Sequence, residues 1–408
     1  MSPLVGVESI LAARRRIAPV VKPVPAYTSD SLSVLAGRNV LVKAEFRQRT
    51  GSFKIRGAYN LICQLPAGQE VVAASAGNHA QGVALAASMT GRHATIFMPE
   101  GASLPKINAT RGYGATVRLE GRILDDSLDA ARSYSRESGA TFVAPFDHLD
   151  VIAGQGTIGL ELAEEAPGAE VILVPVGGGG LLAGVAGAVA SSWRAGAGAG
   201  SRPRVVGVEA AGAASMTAAL AAGQPVALAS MATMADGIAV RCVSELTLAH
   251  AEAFVDEVIT VDEEEISRAM LLAVERLKAV VEPAGAVGLA ALAAGRVEGE
   301  GPVVVVLSGG NVDPMLLGKL IDHGLSAAGR YLTLRVVVGD RAGSLASVTA
   351  DLARLGLNVL DVEHHRNGRP LGVGQVEIQV TVETRDRAHH SEVIEALEAV
   401  GHHAIEVD

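Results

Sequence analysis

The chain has 408 residues, 49% of them hydrophobic and 19% charged, which excludes a disordered protein and leaves room for two or three domains. A net charge of −10, with Arg14–Arg15–Arg16 as the basic run and few aromatics, argues against nucleic-acid binding. Two cysteines, Cys63 and Cys242, provide neither a disulfide framework nor metal-ligand spacing.

The first residues lack the order of a secretion signal, because the arginines follow a short apolar stretch. The apolar stretch 171–190 has the length of a membrane span, but four glycines in its middle argue for a strand, a loop and a helix. The expectation is a cytoplasmic protein without a membrane segment.

Short apolar runs alternate with Ala-rich helical stretches. VVAAS (71–75) reads as a buried strand and 77–90 as a helix. ATIFMP (94–99) follows as a strand, then a helix near 103–112, the strand 115–120, a helix near 124–138 and the strand 141–145. The pattern resumes with strands at 171–176, 204–209 and 302–308 and an amphipathic helix at 267–281. Continuous apolar strands separated by helices predict parallel sheets covered on both faces, here in two doubly wound lobes with functional loops at the strand C-terminal ends. The character changes near Gly329, and 323–329 reads as a linker. Strand 331–338, helix 345–356, strand 357–366, turn 367–372, strand 373–384, helix 387–401 and a last strand give βαββαβ, a ferredoxin-like order.

Four motifs carry chemistry. TGSFKIRGA (50–58) places Lys54 between a glycine turn and a helix; alone, it reads first as a surface lysine at a helix start. SAGNHAQG (75–82) puts small polar residues at a strand-to-helix junction, where backbone N–H groups suit a carboxylate; the plainer reading is a helix capped by Ser75 or Asn78. GGGGL (177–181) lets the backbone close around an anion, and without GxGxxG or Walker spacing a cofactor phosphate is favoured over a nucleotide. SGGN (308–311) presents a hydroxyl at a strand end, or is simply a tight turn.

A lysine amine, a phosphate cup, a carboxylate cup and a hydroxyl match what pyridoxal 5′-phosphate requires. Over roughly residues 10–325 the sequence resembles the fold-type II pyridoxal-phosphate family, within it the threonine dehydratase and serine racemase branch. The resemblance implies a tryptophan synthase beta-like α/β fold for residues 1–325, with the smaller lobe at about 50–148. It implies that Lys54 forms the Schiff base, Phe53 packs near the ring and Asn78 bonds the ring hydroxyl oxygen. Gly177, Gly178, Gly179, Gly180 and the Leu181 amide would hold the phosphate. Ser308 would face the pyridine nitrogen, where a hydroxyl, unlike a carboxylate, favours prompt β-elimination. Ser75, Ala76, Gly77, Asn78 and His79 would line the substrate pocket, and Gly237 (in ADGIAV) and Glu282 (in VEPAGA) would border the cofactor. Racemases of this branch carry a serine where Ala76 stands, so the resemblance favours the dehydratase. Glu209 matches a cation ligand of racemase-like members, but Ser215 replaces their aspartate, leaving a weak metal candidate.

Residues 330–408 resemble an ACT domain, a regulatory module for amino acids. Asp340, Arg341, Gly343, Leu345 and Asn358 are the implied effector contacts, isoleucine or valine the implied effectors, and a homo-oligomer (dimer or tetramer) the implied assembly. The histidine pairs at 364–365, 389–390 and 402–403 read as solvated. The expected activity is deaminating dehydration of L-threonine, with L-serine as a further substrate. Serine racemase and hydroxyaspartate ammonia-lyase are the sibling alternatives, and a non-catalytic amino-acid sensor is the alternative of another class.

Overall fold

The computed structural model describes residues 3–193, 202–366 and 371–407. The chain separates into two compact units, Met1–Pro314 and Met315–Asp408.

Two sheets build the first unit. The smaller runs Thr116–Leu119, Ala94–Met98, Val71–Ala74, Thr141–Phe142, with all neighbours parallel. The larger runs Tyr27–Thr28, Val40–Ala44, Val303–Leu307, Val171–Pro175, Arg204–Ala210, Glu257–Val261. It is parallel except at Tyr27–Thr28, which pairs antiparallel with Val40–Ala44. Strands such as Val303–Leu307 are buried along their whole length, because helices cover both faces. The stretch 171–190 resolves into the strand Val171–Pro175, a glycine turn and the helix Gly180–Ser192. Among the described residues, no helix is long and apolar enough to cross a membrane.

Three strands among the described residues escaped the sequence reading, as did helices such as Leu149–Glu165 and Glu245–Phe254. Tyr27–Thr28 and Glu257–Val261 are short, and Val40–Ala44 carries Lys43 in the middle of an apolar run. The predicted helix 267–281 is also corrected. The helix starts earlier, at Glu263, where Asp262 accepts from the Glu265 N–H (2.8 Å), and it runs to Leu272. A π-helical turn, Ala273–Leu277, follows and ends at Lys278 with φ 53°. Pro283 opens the next helix, Pro283–Ala293, and forces Glu282 into an extended conformation, so a helix cannot run into that position.

In the second unit the sheet order is Val359–His365, Gln375–Glu383, Tyr331–Gly339, Ala404–Glu406, antiparallel throughout. The helices Ser344–Arg354 and Arg387–Ala399 supply Val348, Leu352, Val393 and Leu397 to its core. The predicted linker at 323–329 is mostly helix: Pro314–Ala327 is continuous, and Gly324 is buried within it. Most of the predicted turn 367–372 lies outside the described residues.

Candidate active site

The four motifs converge at strand C-terminal ends. Lys54 is the first residue of the helix Lys54–Ile62. The segment before it is stitched to the SGGN turn. Ser52 bridges Gly309, Phe53 N–H donates to Ser308 O (3.1 Å), and Gly310 N–H donates to Gly51 O (2.9 Å). Glu282 N–H donates to Gly309 O (3.1 Å) from the other side. Gly82 lets the helix Asn78–Met89 approach this segment, since a Cβ there would lie 3.2 Å from the Lys54 carbonyl carbon.

Lys54 Nζ donates to Pro145 O (3.0 Å) and lies 5.2 Å from the Phe53 ring centroid. Burial pulls its pKa down to about 8, against the pull of Glu282 in the other direction. An amine in this setting is neutral far more often than a surface lysine, as a nucleophile or base must be.

Glu282 is itself almost wholly buried, and burial pushes its carboxyl up to about 7 although it accepts a 2.5 Å hydrogen bond from Asn78 Nδ2. His79 donates from Nε2 to Val143 O (2.9 Å). Burial, and then the nearby Lys54, hold its pKa down at about 3, so the imidazole is neutral at every physiological pH. Across the cleft, Lys106 Nζ meets Asp236 Oδ2 at 2.5 Å.

Neither candidate cap of the helix Asn78–Met89 caps it. Its N-cap is Gly77, with no side-chain cap bond, and Ser75 Oγ accepts from Gly77 N–H (3.1 Å). The helix Gly180–Ser192 likewise starts at Gly179, φ +86°, without a side-chain cap. Both starts therefore keep unspent N–H donors for an anion. The glycine loop is walled tightly. A Cβ at Gly177 would lie 2.9 Å from Ile238 Cα, at Gly179 2.6 Å from Met216 Cε, and at Gly180 2.9 Å from Phe146 Cβ, while at Gly178 it would overlap the Phe146 ring. Gly237, in the short turn Asp236–Ile238, sits against Ala284.

Residues 17–309 match the family model described as pyridoxal-phosphate dependent enzyme, and residues 332–402 match the ACT domain. The chain belongs to the pyridoxal-phosphate dependent enzymes. It is 43% identical over 403 residues to the L-threonine ammonia-lyase of Thermotoga maritima, covering 98% of both chains. Among solved structures, maize serine racemase superposes with TM-score 0.72 at 34% identity, covering 80% of this chain and 99% of that one. The processed form of threonine deaminase isoform 2 from Solanum lycopersicum gives TM-score 0.71 at 35% identity, covering 79% and 90%.

The residues present fit the cofactor: an enclosed amine with a lowered pKa, and a side-chain-free cradle at a helix start with donors to spare. Phe53, Ser308 and Leu181 are buried, whereas Ser75, Ala76, Gly77 and Asn78 keep accessible surface.

Glu209, the weak cation candidate, acts as a helix cap. Its carboxylate accepts from Met216 N–H (2.8 Å), Thr217 N–H (2.9 Å) and Thr217 Oγ1 (2.7 Å), capping the helix Ser215–Ala222. Among the described residues, no three His, Cys, Asp or Glu are grouped to hold a metal.

In the ACT domain, Gly343 is the N-cap of Ser344–Arg354 at φ +95°, with Arg341 in the preceding turn, Leu345 exposed and Asp340 3.4 Å from the Arg366 guanidinium. Asn358 is set apart from the other implied effector contacts. The strand it precedes pairs with Gln375–Glu383, not with Tyr331–Gly339. Val359 and Leu332 both face Val382, so within one chain Asn358 lies at the end of the sheet opposite Asp340. Two of the six paired histidines, His390 and His402, depart from the solvated reading. His390 is buried, with Nδ1 2.9 Å from Glu406 and Nε2 3.0 Å from Gly329 O, and His402 Nε2 meets Asp351 at 2.8 Å.

Sequence reasoning missed a buried charge network under Lys54. Arg56, fully buried, donates to both oxygens of Glu45 (2.8 Å each), to both of Glu161 (2.6 and 2.9 Å) and to Thr157 Oγ1 (3.0 Å). Lys43 Nζ reaches Glu161, Glu165 and Val24 O, each at 2.8 Å. Burial alone would lower the Arg56 pKa, and the carboxylates of Glu45 and Glu161 more than reverse that. The signal was in the motif itself: a cation two residues after Lys54, on a helix whose other faces are apolar, demands anions from elsewhere in the chain.

Proposed function

We propose that this enzyme converts L-threonine to 2-oxobutanoate and ammonia, and L-serine to pyruvate and ammonia, under control of an amino acid, isoleucine or valine, at the ACT domain. The observation that carries the reading is the buried Lys54 amine, its pKa lowered to about 8 and its Nζ bonded to Pro145 O, next to the Phe146 that walls the glycine cradle. The relatives named L-threonine ammonia-lyase and threonine deaminase support the choice of substrate.

Gly177 to Gly180 and the Leu181 amide would hold the cofactor phosphate, Asn78 its ring oxygen, and Ser308 its ring nitrogen. When bound, pyridoxal phosphate supplies an electron sink for charge developing at the substrate Cα. Lys54 Nζ, in its neutral form, would take the Cα proton, and its lowered pKa makes that form accessible near neutral pH. The N–H groups of the first turn of Asn78–Met89 hold the substrate carboxylate. Neutral His79 shapes that pocket without adding charge. The β-hydroxyl departs as water, and one water is consumed as ammonia is released, so the net reaction is deamination. Ala76 has no proton to return to the opposite face of Cα, which favours elimination over the racemisation of the maize neighbour.

The test is a coupled assay for 2-keto acid from L-threonine and L-serine, with native protein beside Lys54→Ala. Keto acid from threonine that vanishes in the variant supports the reading. A cofactor-loaded native protein that releases no keto acid refutes it, and chiral analysis of serine then tests racemisation.

A further inference from the structure

Asparagine amides have nearly the same shape either way round, so a site that depends on an amide donor must impose its direction. Asn78 is such a residue, and three contacts fix it. Asn311, the last residue of SGGN, donates from Nδ2 to the main-chain carbonyl of Thr50 (2.7 Å) and to Asn78 Oδ1 (2.7 Å). Asn78 Nδ2 then donates to Glu282 Oε1 (2.5 Å). The polarity starts from a group that cannot be reversed. A peptide carbonyl only accepts, so the Asn311 atom facing Thr50 O is nitrogen. The Asn78 atom facing that nitrogen is therefore oxygen, and the other end of Asn78 is the NH2 group. Gln81 Oε1, 3.5 Å from the same Asn311 nitrogen, adds a further acceptor on that side. The space is fitted to this arrangement: Gly51, at φ +72°, leaves no room for a Cβ against Asn311 Oδ1.

We propose that Asn311 is a positioning residue that sets the direction of the Asn78 amide, so that Asn78 offers the cofactor ring oxygen a hydrogen-bond donor and never an acceptor. The Glu282 bond uses one of the two Nδ2 hydrogens and leaves the other for that oxygen. Asn311 also holds the Thr50 carbonyl, four residues before Lys54, so the lysine loop and the ring-oxygen contact share one anchor. The inference rests on the reading of Asn78 as the ring-oxygen contact.

The test is a double-mutant cycle on the full-length holoenzyme: native, Asn78→Ala, Asn311→Asp and the double variant. The readouts are the rate at which cofactor is lost on dilution into a trapping carbonyl reagent and the position of the bound cofactor's absorbance band, with circular dichroism checking the fold. Asn311→Asp replaces the donor with a carboxylate facing two acceptors. It is expected to speed cofactor loss about tenfold and to move the band in the same direction as Asn78→Ala. In the double variant the loss rate stays within about twofold of Asn78→Ala alone, because a residue that acts through Asn78 has nothing left to orient. Effects that multiply overturn the proposal, as does an Asn311→Asp enzyme that keeps the native loss rate and band. If Asn78→Ala itself changes neither readout, the reading of Asn78 fails first. If Asn311→Asp does not fold, Asn311→Ser enters the same cycle with the same criteria.

Discussion

Replacing Arg56 with methionine isolates the energy of the buried network. The guanidinium makes two bonds to Glu45 and two to Glu161, and both Arg56 and Glu45 are fully buried. Methionine fills much of the same volume but leaves Glu45 a buried carboxylate without a cation. Glu161 fares better, because Lys43 still reaches it at 2.8 Å. The loss is thus one orphaned buried charge, worth about 3–5 kcal/mol. For a unit of this size each kcal/mol moves the melting midpoint by roughly 2 °C, so Arg56→Met should melt about 6–10 °C lower. The assay is a calorimetric or circular-dichroism melt at matched cofactor concentration, since bound cofactor adds stability by mass action. Adding Glu45→Gln should recover at least half of the drop, because removing both charges costs far less than stranding one. An Arg56→Met protein that melts within 2 °C of native, or a double variant no better than the single, would refute this account.

Two further expectations follow from the shifted groups. Lys54 near 8 instead of 10.5 is neutral roughly 300 times more often at pH 7, so the rate of cofactor loading into cofactor-stripped protein should rise about tenfold per pH unit up to pH 8 and level off above it. Stopped-flow absorbance measures this, and a plateau reached only near pH 10 contradicts it. His79 titrates near 3 in the fold and near 6.5 when unfolded, so it is neutral in both states above pH 6.5 and contributes nothing there. As pH falls below 6.5 the unfolded chain takes up the proton first, and stability drops by up to about 1.4 kcal/mol per pH unit until about pH 3. In urea melts His79→Gln should flatten that slope between pH 6 and 4, and an unchanged slope would assign it to other groups.

Most of the strands were legible because a parallel strand covered on both faces is a local apolar run, and a glycine-rich turn after it is local too. The Lys54, SAGN, glycine and SGGN motifs were read from neighbours in sequence and meet in one cleft. What was not legible is pairing at a distance. Arg56 and Glu161 are 105 residues apart, and Asn78 and Asn311 are 233 apart. Periodicity carries no term for such partners. Asn358 was grouped with Asp340 because local pattern gives a strand's faces but not its neighbour, and His390 was read as solvated because a histidine pair looks polar until Glu406 and Gly329 are seen to enclose one member.

The buried charges and the catalytic geometry are connected through strand register. Val303–Leu307 is a run of five aliphatic residues buried on both faces, so its own side chains scarcely distinguish one parallel register from the next. Its neighbour Val40–Ala44 does. Lys43 points into a niche of two carboxylates and a carbonyl, and a slip by one residue would carry that amine away from Glu161 and Glu165. With Lys43 in place, Leu307 pairs Ala44, and Ser308 and Gly309 emerge where Phe53 and Ser52 can bond them. Glu45, the residue after Ala44, then meets Arg56 on the helix that Lys54 begins. A core of uniform small aliphatics needs such polar landmarks to choose one alignment. Here the landmarks lie directly beneath the residues whose alignment the chemistry requires.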